Sequence, residues 1–178
     1  LPTPLPQRAL IAAVRRATAV LLYLDFDGTL VPIRSDPSRC QLSPALAVTL
    51  RQLGDGRHHP PIDLAVISGR SLEDLRQRLG AAADDLSLAG NHGLEIACHG
   101  QLWCEPRARA LIPALNAVAE RLQDALQGWP GAWLEHKGLS LSLHTRGLAA
   151  AQRQPLALHL MPLLEQIHAE GQFVLRRG

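Results

Sequence analysis

The sequence predicts an α/β fold: a doubly wound parallel sheet followed by a smaller α+β module. Strand-length apolar runs alternate with amphipathic helical stretches through the first half, and each run ends in a polar or glycine-containing turn. After Cys104 this gives way to long helices separated by a stretch of strict apolar-polar alternation. The expected division is therefore residues 1–104 and 105–178.

Taken in order, Leu10, Ile11, Val14 and Ala17 recur at helical spacing between Gln7 and Thr18, with arginines on the opposite side. Val20 to Leu24 reads as a strand apolar on both faces, as buried parallel sheets require. It runs directly into Asp25-Phe26-Asp27-Gly28-Thr29-Leu30. Ser43-Pro44 supplies an N-cap and a first-turn proline for a helix to about Leu53. Ile62 to Ile67 is the next strand and ends in Ser68-Gly69-Arg70. Ser71 with Asp74 opens a helix to Leu79 through a variant of the capping box. Leu86 to Ala89 is a short strand ending in Gly90-Asn91-His92-Gly93, and His99 falls in a hairpin.

In the second module a helix is expected from Arg107 to Leu126, stopped by Gly128-Trp129-Pro130-Gly131. Leu139 to His144 alternates as a half-buried strand does. A helix from Leu156 to Ala169 and a strand from Phe173 to Arg176 complete the pattern.

Bulk properties narrow the function classes. A formal charge of +2, scattered arginines and 3% aromatic residues supply neither the basic stripe nor the stacking platforms of a nucleic-acid surface. The longest apolar run, Ala19 to Leu24, is too short to span a bilayer, and no basic-then-apolar leader opens the chain. Cys40, Cys98 and Cys104 form no CxxC pair, so free thiols in a reducing cytoplasm are expected. His58 and His59 read as a solvated pair, and His136, His144, His159 and His168 keep no metal-ligand spacing.

The chemistry concentrates where the strands of the first module end. Open α/β sheets bind ligands beyond the carboxyl ends of their strands. Asp25, Asp27, Ser68, Arg70, Asn91 and His92 should therefore converge on one rim. Two carboxylates two residues apart face the same way in extended chain and repel unless a cation intervenes. Magnesium suits such a pair, because it accepts one or two carboxylates and bridges phosphate oxygens. One carboxylate can then attack phosphorus, while the other gives a proton to the leaving oxygen and later takes one from water. Gly28 permits a sharp turn, and Thr29 and Ser68 are placed to donate to phosphate.

Asp25-Phe26-Asp27-Gly28-Thr29-Leu30 resembles the first motif of the haloacid dehalogenase-like phosphatases, and Val66-Ile67-Ser68-Gly69-Arg70 resembles their second. Ala89 to Ile96 and Glu135 to Arg146 resemble segments of the trehalose-phosphate phosphatases. The resemblance implies a Rossmann-like core with a lid, and release of phosphate from trehalose 6-phosphate through an aspartyl-phosphate. It makes Asp25 the nucleophile and Asp27 the acid/base. Magnesium is implied on the Asp25 carboxylate and the Asp27 carbonyl, with Gly28, Thr29, Ser68, Gly69 and Arg70 around the phosphate. Asn91, His92 and Gly93 are implied near the cleft entrance, and Glu135, Lys137 and Arg146 on the sugar.

Without that resemblance, Glu135, Lys137 and Arg146 read as a solvated sheet face. Another sugar phosphate, such as sucrose phosphate, is the alternative substrate. An inert regulatory module beside a trehalose-phosphate synthase is the alternative role. The family's lysine-bearing third motif and acidic fourth motif do not occur before Gly178, and Leu1 stands where Met is expected. The sequence therefore reads as trimmed at both ends, with the core incomplete and the fragment poorly active.

Overall fold

The computed structural model describes residues 6–34 and 37–176. The chain forms two compact units, Leu1–Trp103 and Cys104–Gly178. No helix among the described residues is long and apolar enough to cross a membrane.

In the first unit, α1 (Gln7–Arg16) precedes β1 (Val20–Asp25), α2 (Pro44–Gly54), β2 (Ile62–Ile67) and α3 (Leu72–Leu79). Strands β3 (Ser87–Gly90), β4 (Glu95–Cys98) and β5 (Gln101–Cys104) follow, and the sheet order is β1-β2-β3-β4-β5. The first three strands are parallel, with Asp25 opposite Ile67 and Ile67 opposite Ala89. That register ends all three at one level. β4 then runs antiparallel to β3, pairing Gly90 with Glu95, so the sheet is mixed. The tight connection to β5 has positive φ at His99 and Gly100, as a two-residue hairpin turn demands.

Phe26, Leu50, Leu64, Val66, Leu75 and Leu88 lie at the centre of one core, fully or almost fully buried. They come from the sheet, from the turn after β1, from α2 and from α3, and they pack on a single face of the sheet. The expectation that β1 is buried on both faces is therefore not met. Leu22 and Leu24 pack on this core, whereas Leu21 and Tyr23 are 62% and 63% exposed. The physical reason is that α2 and α3 cover the same side, and no described element covers the other. Helix α1 likewise buries none of its residues, despite its apolar stripe.

In the second unit the expected Arg107–Leu126 helix is two helices, α4 (Pro106–Ala110) and α5 (Ile112–Ala125). Pro113 has no amide hydrogen for the Arg109 carbonyl, and its ring crowds that turn, so the chain breaks at Leu111. Strands β6 (Trp133–His136) and β7 (Leu141–His144) form an antiparallel pair, with Trp133 opposite His144 and Glu135 opposite Ser142. All four residues of β7 are half-buried, which blurs the expected alternation.

Helix α6 (Ala150–Ala169) starts earlier than Pro155 suggests and runs through both Pro155 and Pro162. Leu156, Leu160 and Ile167 are each 1% exposed, so packing outweighs the two missing amide donors. α5 and α6 cover the hairpin face that carries Leu134, Leu141 and Leu143. The expected strand at Phe173–Arg176 does not form. Phe173 packs beside Val118, Leu122 and Ile167, and the stretch pairs with no strand.

Candidate active site

The site is built where β1, β2 and β3 end. Beyond Asp25 the chain turns sharply, with Gly28 at φ +93°. The Phe26 carbonyl accepts from the amides of Leu30 and Val31, both at 3.0 Å, and the Gly28 amide donates to the Val31 carbonyl at 2.8 Å. Phe26 is wholly buried and anchors the turn. Just before it in the chain Asp25 is exposed, and just after it Asp27 is half-buried. Gly28 and Thr29 are exposed at the tip.

At the end of β2, the Ser68 amide donates to the Ala89 carbonyl at 2.9 Å. The buried Ser68 hydroxyl accepts from the Arg70 amide at 3.2 Å. A hydroxyl can accept there and still give its own proton to an oxyanion. Ser71 caps α3 by accepting from the Asp74 amide, as expected, yet the Asp74 carboxylate does not close the capping box. It turns to two arginines instead.

The Asn91-His92-Gly93 turn takes positive φ at all three residues. The Asn91 amide donates to the Arg70 carbonyl at 2.6 Å, and the His92 amide to the Ser68 carbonyl at 3.0 Å. These bonds fasten the turn after β3 to the turn after β2. The His92 ring lies over Gly69, where a β-carbon would come within 2.6 Å of it.

Arg70 is the hub. Its side chain is only 8% exposed, and its Cζ lies 5.5 Å from the Phe26 ring centroid. Nε donates to Asp27 Oδ2 and Nη2 to Asp27 Oδ1, both at 2.7 Å. Nη1 donates to Asp74 Oδ2 at 2.8 Å. Arg78 holds Asp74 from its other side, Nε to Oδ2 at 2.9 Å and Nη2 near Oδ1 at 2.8 Å. Arg78 Nη1 also donates to the carbonyls of Ser38 and Cys40.

Burial opposes the charge on Arg70, but the hydrogen bonds and charges of Asp27 and Asp74 outweigh it, so its pKa is raised. Burial works the same way against Asp74. There the hydrogen bonds from Arg78 and Arg70, reinforced by their charges, carry the carboxyl below its usual range.

The structure thus brings Asp27, Ser68, Gly69, Arg70, Asn91 and His92 into one bonded cluster, with Asp25, Gly28, Thr29 and Gly93 on the adjoining turns. Sequence reasoning missed Arg78 and Glu95 and gave Asp74 only a capping role. The four-residue step from Asp74 to Arg78 was the available signal.

In the second unit, Glu135 Oε2 accepts from His144 Nε2 at 2.7 Å and lies 3.7 Å from Lys137 Nζ. Trp133 stacks on His144 with ring centroids 4.1 Å apart. His144 and Trp133 therefore join the expected Glu135 and Lys137, while Arg146 is exposed beyond β7. Alternation could have flagged His144, since it pairs with Trp133 on the Glu135 face.

The donors at the end of β1 suit magnesium. The Asp25 carboxylate and the Asp27 carbonyl are hard oxygen ligands, and the bonds closing the turn use the carbonyls of Phe26 and Val31 rather than that of Asp27. Among the described residues no group of three or more His, Cys, Asp or Glu side chains could hold a metal ion.

A family model described as trehalose-phosphatase matches residues 23–178. A trehalose-phosphate phosphatase of Mycobacterium tuberculosis is 36% identical over 88% of this chain, which spans 38% of that protein. An uncharacterized glycosyl hydrolase of the same species is 40% identical over 72% of this chain, which spans 9% of it.

Among solved structures, the C-terminal domain of C. albicans trehalose-6-phosphate phosphatase superposes with a TM-score of 0.76 at 24% identity. It covers 95% of this chain and 57% of that one. A Candida albicans trehalose synthase regulatory protein domain has the same fold, with a TM-score of 0.66 at 13% identity, covering 95% and 58%. The family match rests on most of the chain, from Tyr23 onward, and takes in both units. This chain belongs to the trehalose-phosphatase family.

Proposed function

We propose that the protein carrying this chain releases phosphate from trehalose 6-phosphate through a phosphorylated Asp25. The observation that carries the reading is the Asp25-Phe26-Asp27 turn, anchored by buried Phe26 at the end of β1 and level with Ser68.

An Asp25 oxygen attacks phosphorus and the bond from phosphorus to the sugar oxygen breaks. The departing oxygen takes a proton from the Asp27 carboxyl. Asp27 then accepts a proton from water, whose oxygen attacks phosphorus. The bond to Asp25 breaks, freeing phosphate and leaving Asp25 again a carboxylate and Asp27 again a protonated carboxyl. Ser68 and Thr29 donate to the phosphoryl oxygens. Magnesium on the Asp25 carboxylate and the Asp27 carbonyl supplies neutralisation of phosphate charge. Glu135, Lys137 and Arg146 bind sugar hydroxyls, with His144 orienting Glu135.

The test is phosphate release by the full natural chain from a panel including trehalose 6-phosphate, sucrose 6-phosphate and glucose 6-phosphate, with and without magnesium. Magnesium-dependent preference for trehalose 6-phosphate is expected. Release from none of them would instead favour a regulatory role, as borne by the Candida albicans regulatory protein whose domain shares this fold.

A further inference from the structure

The residues of the Ser68-Gly69-Arg70 turn were expected to hold phosphate, but the Arg70 side chain is engaged elsewhere. Guanidinium recognises an oxyanion best through two parallel N–H bonds from one edge. The Nε–Nη2 edge of Arg70 makes that pair of bonds with Asp27, at 2.7 Å each. Nη1 is committed to Asp74, which Arg78 braces in turn. The side chain is nearly buried, with Phe26 beneath the guanidinium. Phosphate could take this edge only by displacing Asp27.

We propose that Arg70 is a positioning residue for Asp27, holding its carboxylate at the end of β1 and not itself binding phosphate. The proposal rests on the reading of Asp27 as the proton donor and acceptor. While both Asp27 oxygens accept from Arg70, the carboxylate cannot serve a leaving group. The side chain must turn from the guanidinium to deliver a proton, and the fork sets where it returns. Asp74 and Arg78 keep the fork from following it.

The experiment uses the full natural chain with Arg70→Lys, Asp27→Asn and the double variant. Trehalose 6-phosphate is compared with p-nitrophenyl phosphate, whose leaving group needs little protonation. Lysine keeps the charge and loses the fork. Arg70→Lys should lower kcat on the sugar phosphate by about tenfold or more, with KM and the p-nitrophenyl rate little changed. Added to Asp27→Asn, it should do nothing further.

A raised KM for both esters together with weaker inhibition by inorganic phosphate would make Arg70 a phosphate ligand and overturn the proposal. An undiminished loss in the Asp27→Asn background would overturn it as well. If Asp27→Asn itself slows both esters equally, the proton-transfer reading fails first and the proposal falls with it. Should Arg70→Lys not fold, Asp74→Asn carries the same comparison, because it leaves the guanidinium and removes its brace. A loss confined to the sugar phosphate supports the proposal, and an equal loss on both esters overturns it.

Discussion

Glu95 accepts from Asn91 through a single oxygen, Oε2, at 2.7 Å, and that oxygen also receives the Leu72 amide at 3.0 Å. One carboxylate on β4 thereby satisfies a buried side chain of the turn after β3 and an amide that the first turn of α3 leaves open. Its charge also sits at the positive end of that helix. Glu95→Ala should cost roughly 1–3 kcal/mol, because it removes both of these hydrogen bonds to a charged acceptor. Glu95→Gln should cost less, and chemical denaturation of both variants checks the order.

Gly90 and Gly69 should respond differently to the same added methyl group. A β-carbon on Gly90 would lie 2.5 Å from the Leu72 backbone nitrogen and 2.8 Å from its α-carbon. Neither helix backbone atom can yield alone, so Gly90→Ala should cost about 1–3 kcal/mol. At Gly69 the obstacle is the exposed His92 ring, which can swing aside. Gly69→Ala should therefore be the milder change in thermal melts. Equal losses would contradict the close-approach argument.

The Asp74 pair with Arg70 and Arg78 gives a pH dependence with a definite sign. A carboxyl held below its usual range stabilises the fold above its unfolded-state value and loses that contribution as pH falls through its folded value. Asp74→Asn should cost roughly 1.5–3 kcal/mol at neutral pH, where it removes charge-assisted bonds. The gap between wild type and variant should narrow below about pH 4. Urea titrations across that range measure it, and a gap that widens toward acid would refute the assignment.

What could be read in advance follows from whether the determinant is local. The strands at Val20 and Ile62, the Ser43 and Ser71 caps and the turn at Asp25 are set by neighbours in sequence, and they formed as expected. The pairing of Arg70 with Asp27 spans 43 positions, and no pattern in the chain announces which anion a guanidinium will meet. Proline misled in both directions. Pro113 broke a helix read as continuous, whereas Pro155, read as lying before the last helix, sits inside α6 because the buried leucines there hold it. The open side of β1 was equally illegible, since Leu21 and Tyr23 look like core until the helices choose a face.

On the hairpin of the second unit, Glu135 is proposed to meet sugar and His144 to hold it. Glu135→Gln should raise KM for trehalose 6-phosphate by about tenfold, as expected for one charge-assisted hydrogen bond, and leave p-nitrophenyl phosphate unaffected. His144→Ala should produce a smaller rise of the same kind. Steady-state kinetics on both esters decides it, and an unchanged KM would return this face to solvent.

Trapping the phosphoryl group on the protein tests the role of Asp25 without an intermediary. The full natural chain is mixed with trehalose 6-phosphate and magnesium, quenched in acid within the first turnover and digested for mass spectrometry. One phosphoryl group is expected on the peptide containing Asp25, absent in Asp25→Asn, which should also lose turnover while keeping its fold. A phosphoryl group on another residue, or undiminished turnover by Asp25→Asn, would contradict that role.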